Sequence, residues 1–237
     1  MENNIADFID SYDEDIDINS EKISRMTSQD IKKDSQMYLF TKRVMDILLS
    51  MIGLIALSPV FIIVAILIKL EDPEGTIIFK HMRIGEKGNK FPCLKFRTMF
   101  VNAQEMLLTL TPEQITEFKE TYKIKDDPRI TKVGKILRKT SLDEFPQLIN
   151  IIKGEMTLVG PRPIVEEELE FYGECEKIYK SVKPGLTGYW QVHGRSDTTY
   201  DQRVQMDVKY ISERNLIMDM KLIIKTVTVL FGDKNAY

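Results

Sequence analysis

Side chains suited to phosphate chemistry are concentrated between Asp126 and Pro163. Arg129, Lys132, Lys135, Arg138 and Lys139 place five cations in eleven residues, with Val133, Ile136 and Leu137 as an apolar face. Lys132, Lys135 and Lys139 share one helix face by i,i+3 and i,i+4 spacing. Arg138 adds a planar fork that suits phosphate oxygens. The same pattern also fits an amphipathic helix with a solvated face, or one resting on anionic lipid.

Next comes Thr140-Ser141-Leu142-Asp143-Glu144-Phe145-Pro146-Gln147. Proline is tolerated only in a helix's first turn, so a helix must start close to Asp143. Two carboxylates then sit at the positive end of a helix dipole, where an ionised Asp is favoured and a phosphate can bind. Asp143 could coordinate Mg²⁺ or attack phosphorus, and Glu144 could complete the metal shell or move a proton. The competing explanation is plain: Ser141-x-x-Glu144 has the spacing of a capping box, with Asp143 an ordinary cap.

Two further stretches join this set. Gly160-Pro161-Arg162-Pro163 fixes the backbone around one arginine, either for a ligand or as a rigid solvated turn. Lys183–Arg195 holds three glycines, the only tryptophan (Trp190) and a terminal arginine. Trp190 suits a nucleotide base or a core anchor equally. Ready-made nucleotide loops (GxxxxGK[ST], GxGxxG) and the HExxH and GxSxG signatures do not occur.

Elements must carry these residues. Ile47–Ile68 is 22 residues without a charge, about 33 Å as one helix and enough to cross a hydrocarbon core. A cleavable signal fits badly, because the run begins late and after an acidic leader. Ser58-Pro59 lies at its centre, where a kink is expected, leaving halves of about 18 and 15 Å. Lys32, Lys33, Lys42 and Arg43 precede the run; Lys69, Lys80, Arg83, Lys87 and Lys90 follow it. Cations on both flanks favour a helix that enters, bends and returns to one face, against a kinked spanning helix. Ile77–Ile84 and Phe91–Met99 read as a β-hairpin. Ala103–Lys123, Lys132–Lys139, Glu144–Lys153 (stopped by Gly154) and Glu166–Val182 read as helices. Val208–Phe231 is a basic amphipathic stretch, suited to the headgroup layer or to core packing.

Composition bounds the rest. The chain has 237 residues, a formal charge of −3 and only two histidines and two cysteines, Cys93 and Cys175. A disulfide framework is excluded, a His/Cys zinc site is disfavoured, a reducing compartment fits, and no dedicated nucleic-acid binder is indicated. Residues 1–36 hold ten acidic against four basic side chains, which reads as a mobile acidic tail, solvated or docking a partner.

The ordered runs LSP at Leu57–Pro59, KFRTM at Lys95–Met99, Asp127–Pro163 as a whole, and KPGLTGYWQVHGR at Lys183–Arg195 together resemble the bacterial sugar transferase family. These are monotopic polyprenyl-phosphate sugar-1-phosphate transferases. The resemblance covers about Tyr38 to the C-terminus and is to the compact form, without the extra N-terminal membrane helices of longer members.

It implies an α+β protein in three parts: an acidic tail (1–36), a re-entrant membrane helix broken at Ser58 and Pro59 (37–70), and a mostly helical cytoplasmic catalytic domain with a small hairpin and interfacial helices (71–237). It implies that Asp143 attacks the β-phosphorus of a UDP-sugar, that UMP leaves, and that undecaprenyl phosphate then takes the sugar phosphate. Mg²⁺ is implied at Asp143 and Glu144, and substrate contacts at Arg138, Lys95, Arg97, Arg162 and Arg195. The implied location is the cytoplasmic face of the bacterial inner membrane. Gly194-Arg195-Ser196-Asp197 resembles hexose-1-phosphate transferases, which favours glucose or galactose over an N-acetylated sugar. A transferase releasing UDP, an N-acetyl-sugar enzyme of a glycoprotein or O-antigen pathway, and a non-catalytic scaffold are the alternatives. Self-association and contacts with other pathway enzymes stay open.

Overall fold

A computed structural model describes residues 31, 33–111, 114–115, 124, 126–194 and 198–232. Most of the acidic tail, much of the stretch after Leu110, and Arg195 lie outside the described residues. Helix α1 (Gln36–Glu71) is followed by strands β1 (Ile78–Ile84) and β2 (Lys90–Phe96), then helices α2 (Lys132–Lys139) and α3 (Gln147–Lys153). Strands β3 (Thr157–Val159) and β4 (Gly185–Thr187) precede the closing helices α4 (Tyr200–Glu213) and α5 (Leu216–Gly232). Two compact units emerge, and neither is continuous in sequence. The first contains residues up to Gly53, His81–Cys93 and everything from Gln147; the second contains Leu54–Lys80 and Leu94–Pro146.

Helix α1 is long and apolar enough to cross a membrane by length and composition. Its large side chains stay uncovered: Met37, Phe40, Ile52, Ile55, Ile62 and Leu70 are all more than half exposed. In water that surface would be costly, so a lipid environment is the physical complement. Helical backbone continues through Ser58 and Pro59 without interruption. Pro59 has no N–H to give the Ile55 carbonyl. The Ser58 hydroxyl donates to that carbonyl instead, at 2.8 Å. The Ser-Pro pair thus repairs the hydrogen bond that its proline removes.

The basic residues ahead of the apolar run have a structural task. Lys42 Nζ donates to buried Asp219 at 2.8 Å and to the Val159 carbonyl at 2.9 Å. Arg43 donates to the carbonyls of Ile151 and Ile152, at 2.6 and 2.8 Å, closing the last turn of α3. Asp46 accepts from Thr157 Oγ1 and Leu158 N. These two cations therefore belong to the folded unit as much as to a membrane flank.

In the first unit Ile178, Tyr179, Val208, Tyr210 and Ile211 form a fully buried core. Strands β3 and β4 pair in parallel, Thr157 opposite Gly185 and Val159 opposite Thr187. A Cβ on Gly185 would stand 2.1 Å from the Gly160 nitrogen. Glycine here allows two backbones to touch, and the GPRP and KPGLTG segments interlock through it. The expected helix over 166–182 is instead a 3-10 stretch, Glu166–Cys175, turned at Gly173 (φ 48°), then a single helical turn at Glu176–Tyr179. The expected helix over Ala103–Lys123 is interrupted after Thr109, where Leu110 is extended; Gln114 and Ile115 are helical again, and 116–123 lie outside the described residues. Thr111 and Gln114 then exchange capping hydrogen bonds. Pro112 follows in the sequence, and proline does not continue a helix interior.

One buried acid in this unit has a pH consequence. Asp207 accepts from the Tyr172 hydroxyl at 2.8 Å, while its other oxygen is buried and meets no hydrogen-bond partner among the described residues. Burial pushes this carboxyl up to about 8, against the Tyr172 hydrogen bond and the charge of Arg162. The folded state therefore holds a proton that the unfolded state has released above about pH 4. Stability from this group is full below that value and is lost as pH rises through about 8. Asp207→Asn is expected to flatten the decline of Tm between pH 5 and 9; parallel pH profiles for the two proteins would refute this.

Candidate active site

In the second unit a small core of Val64, Ile68, Phe96 and Leu137 packs with Phe61, Val133 and Leu142. Phe61 meets Phe96 edge-on at 5.3 Å. This core joins the end of α1, the end of β2 and one face of α2. The polar residues of those same segments make the site.

The end of α1 is its anchor. Glu71 accepts from the backbone N–H groups of Lys132 and Val133, at 2.6 and 2.9 Å, and Thr131 Oγ1 accepts from Gly134 N at 2.8 Å. Three of the orphan donors that start α2 are satisfied in this way. Asp72 pairs with Arg97 and accepts from Val101 N at 2.9 Å. Arg97 also donates to the carbonyls of Thr76 and Asp72, both at 2.7 Å. Its guanidinium is committed to holding the turn after the membrane helix. Neither Glu71 nor Asp72 stands out in the sequence, because both look like ordinary charges ending an apolar run.

Beside Arg97, Thr98 Oγ1 accepts from Arg138 Nε at 3.0 Å. The Thr98 carbonyl lies against Gly134, where a Cβ would come within 2.0 Å of it. The KFRTM segment and the basic helix are thus locked face to face. One side of the Arg138 fork is held, and Lys132, Lys135 and Lys139 are exposed.

The carboxylates lie at the far end of this frame. Leu142–Glu144 is one 3-10 turn, and α3 starts after Pro146. Ser141 takes a left-handed backbone (φ 54°) and its side chain makes no capping hydrogen bond. The capping box suggested by the sequence does not form, because the Glu144 side chain pairs with Lys95 instead. Asp143 is partly buried, and burial first, then the charge of Glu144, pushes its carboxyl up to about 6, while Lys95 and Arg138 act in the opposite direction. Lys95 leaves Glu144 paired and holds positive charge beside Asp143.

Two adjacent carboxylates whose charges oppose one another suit a divalent cation. As a donor set they are lean, which fits Mg²⁺: it keeps several waters and takes phosphate oxygens from its substrate. No group of three or more metal-ligating side chains occurs among the described residues.

Lys95, Arg97, Arg138, Asp143 and Glu144 therefore fall in one unit. Arg162 falls in the other, its guanidinium carbon 5.8 Å from the Trp190 ring centroid. Arg203 stands over the same ring at 4.8 Å. Trp190 is 7% exposed and belongs to the core of that unit. Arg195 lies outside the described residues.

The second unit thus combines the apolar helix α1, ended by two structural acids, with a basic helix docked on them and an Asp-Glu pair beside a lysine. Residues 37–233 match the sequence model of the bacterial sugar transferase family, and the chain belongs to that family. Over 200 residues it is 46% identical to the exopolysaccharide production protein ExoY of Sinorhizobium fredii, spanning 83% of this chain and 88% of ExoY. It is also 46% identical, over 201 residues, to the undecaprenyl-phosphate galactose phosphotransferase of Salmonella typhimurium, covering 84% of this chain and 42% of that protein. The UDP-glucose:undecaprenyl-phosphate glucose-1-phosphate transferase of Escherichia coli shares 39% identity over 204 residues, again 83% of this chain and 41% of the relative.

Proposed function

We propose that this protein transfers a sugar-1-phosphate from a UDP-sugar to undecaprenyl phosphate, opening the assembly of an exopolysaccharide or capsule at the cytoplasmic face of the bacterial membrane. The single observation that carries the reading is the Asp143–Glu144 pair, freed from capping by the left-handed Ser141 and set beside Lys95 and Arg138. The names of the relatives support the two substrates, and α1 supports the membrane location. A re-entrant, monotopic placement is part of this reading and rests on the cations that flank the apolar run on both sides; the expected break at Ser58 and Pro59 is not seen, because the Ser58 hydroxyl satisfies the Ile55 carbonyl and helix α1 continues through both residues.

In this mechanism the ionised Asp143 carboxylate attacks the β-phosphorus of the UDP-sugar. The bond from that phosphorus to the bridging oxygen breaks, and UMP leaves with the electron pair. An acyl phosphate links Asp143 to the sugar. An oxygen of undecaprenyl phosphate then attacks the same phosphorus, releases the carboxylate and yields a polyprenyl-diphosphate sugar. Little energy separates the two anhydrides, so positioning and charge neutralisation do the catalytic work. Arg138 is a fork held on one side by Thr98 and offers its remaining donors to phosphate. Lys95 keeps Glu144 from repelling the incoming diphosphate. Magnesium, held by Asp143 and Glu144, supplies further charge neutralisation when bound.

Glucose or galactose is the proposed sugar. The test is a panel of UDP-sugars with undecaprenyl phosphate and Mg²⁺, read as UMP. The expected result is UMP release with UDP-glucose or UDP-galactose and a lipid-linked product. Release of UDP, or no release with any sugar, would overturn the proposal.

A further inference from the structure

Helix α2 has an outer face that the transferase reading does not use. Its inner face packs Val133 and Leu137 with Phe61, Val64 and Ile68 of α1, and its first turn hangs on Glu71. Lys132, Lys135, Ile136 and Lys139 follow at three- and four-residue steps, so they form one stripe. All four are exposed, with Ile136 63% exposed at the centre of the lysines. No acid lies within Lys132–Lys139 to offset them. The ion pairs of this unit lie elsewhere among the described residues: Arg97 with Asp72, Arg129 with Asp127, and Lys95 with Glu144. Glu71 takes backbone N–H groups of α2 and not its ammonium groups. Meanwhile the turns of α1 that bury Val64 and Ile68 leave Ile62, Ile63, Ile66 and Leu70 exposed. A basic stripe and an uncovered hydrocarbon surface therefore belong to two helices packed on each other.

We propose that this stripe of α2 rests on the anionic phospholipid surface of the bilayer that holds α1, with Ile136 at the boundary of headgroups and acyl chains and the three ammonium groups on lipid phosphates. Two observations carry it: the charge of the stripe, and its continuity with a helix that needs lipid. Cations beside a lipid-facing surface cannot turn into hydrocarbon, so their stems cover apolar surface and their charged ends reach the headgroup layer. Lysine close to an anionic leaflet is attracted to it, whereas a zwitterionic headgroup brings an ammonium group of its own. A nucleotide is the weaker occupant, because the stripe has no aromatic side chain on which a base could stack. The acidic tail, residues 1–36, is the competing protein partner, and continuity with α1 favours the bilayer over it. The inference rests on the membrane location proposed above and stands apart from which reaction the chain performs.

The test places the full chain in bilayer discs of equal phosphatidylglycerol and phosphatidylcholine, with a photo-crosslinking benzophenone residue in place of Ile136 or, as a control, of Ile66 on α1. Adducts are read by mass spectrometry. Position 136 is expected to capture lipid, with phosphatidylglycerol over phosphatidylcholine by at least about fivefold, the effect of one lysine held near an anionic surface. Combined K132Q, K135Q and K139Q substitutions are expected to bring that ratio within about twofold, and the matching arginine substitutions to keep it. Lipid adducts at 66 with none at 136 would overturn this proposal and leave the membrane location standing; none at either position would overturn both. Equal capture of the two lipids at 136, a ratio undiminished by glutamine, or capture of the chain's own acidic tail in place of lipid would also overturn it.

Discussion

Asp143→Asn is expected to reduce UMP release by at least about 10³-fold, the scale on which removal of a nucleophile acts, while leaving the folded protein no less stable. The two halves of this expectation together separate catalysis from capping. Asn caps a helix about as well as Asp, so a pure capping role predicts turnover and stability both close to the parent's. The carboxyl of Asp143 is instead raised by burial and by Glu144. Its ionised form is favoured less in the folded state than in the unfolded one, so stability from this group is present at low pH and lost as pH rises through about 6. At neutral pH and without metal, Asn removes that cost. A gain on the order of 1 kcal/mol is expected, after discounting for partial exposure. Thermal melts in EDTA alongside turnover in Mg²⁺ check both halves; turnover kept at the parent's level would mean that Asp143 is not the nucleophile.

The second large effect concerns Gly134. Helix propensity alone predicts that Gly134→Ala stabilises α2 by about 1 kcal/mol. Packing predicts the reverse. An added Cβ would stand 2.0 Å from the Thr98 carbonyl oxygen and 2.7 Å from its carbon, both of them backbone atoms with little room to yield. Displacing α2 would also strain the Glu71 hydrogen bonds to its first turn and the Arg138–Thr98 contact. A loss of roughly 2–4 kcal/mol is expected, the range of overpacking and close-approach substitutions. Turnover should fall with it, because Arg138 and the KFRTM segment move together. Denaturant unfolding measures the first and UMP release the second. An alanine variant as stable as the parent would show that α2 is not seated on Thr98.

Helix α2 illustrates what the sequence could reveal. Its bounds, Lys132–Lys139, agree with the residue pattern, because amphipathic spacing and Thr131 at its start are local signals. The hairpin was legible for the same reason: two alternating runs flank a glycine-containing turn, Gly85–Asn89, and both strands keep to it. Ser141-x-x-Glu144 shows where local reading fails. The spacing fits a capping box, yet Lys95, 49 residues earlier, takes the glutamate. No window around residue 144 contains that information. The Glu71–Asp72 pair was hidden for a related reason, since its partners at Arg97, Val101 and Lys132 become neighbours only in the fold. Arg97 was legible as a motif residue, and the structure adds that its guanidinium serves the turn at Asp72–Thr76. Trp190, which suited a base or a core equally, lies in the core with Arg203 over its ring. In the same stretch Gly185 and Gly188 let backbone approach Gly160.

The most direct test concerns the bond itself. The full chain, purified with its membrane helix, is mixed with UDP-glucose or UDP-galactose and Mg²⁺ in the absence of polyprenyl phosphate, quenched, and digested for mass spectrometry. One hexose phosphate should be found attached as an acyl phosphate to the peptide that contains residue 143, should be missing from Asp143→Asn, and should disappear when undecaprenyl phosphate is added before the quench. Full turnover with that peptide always unmodified would mean that the acceptor attacks the donor directly, and would contradict the role given to Asp143.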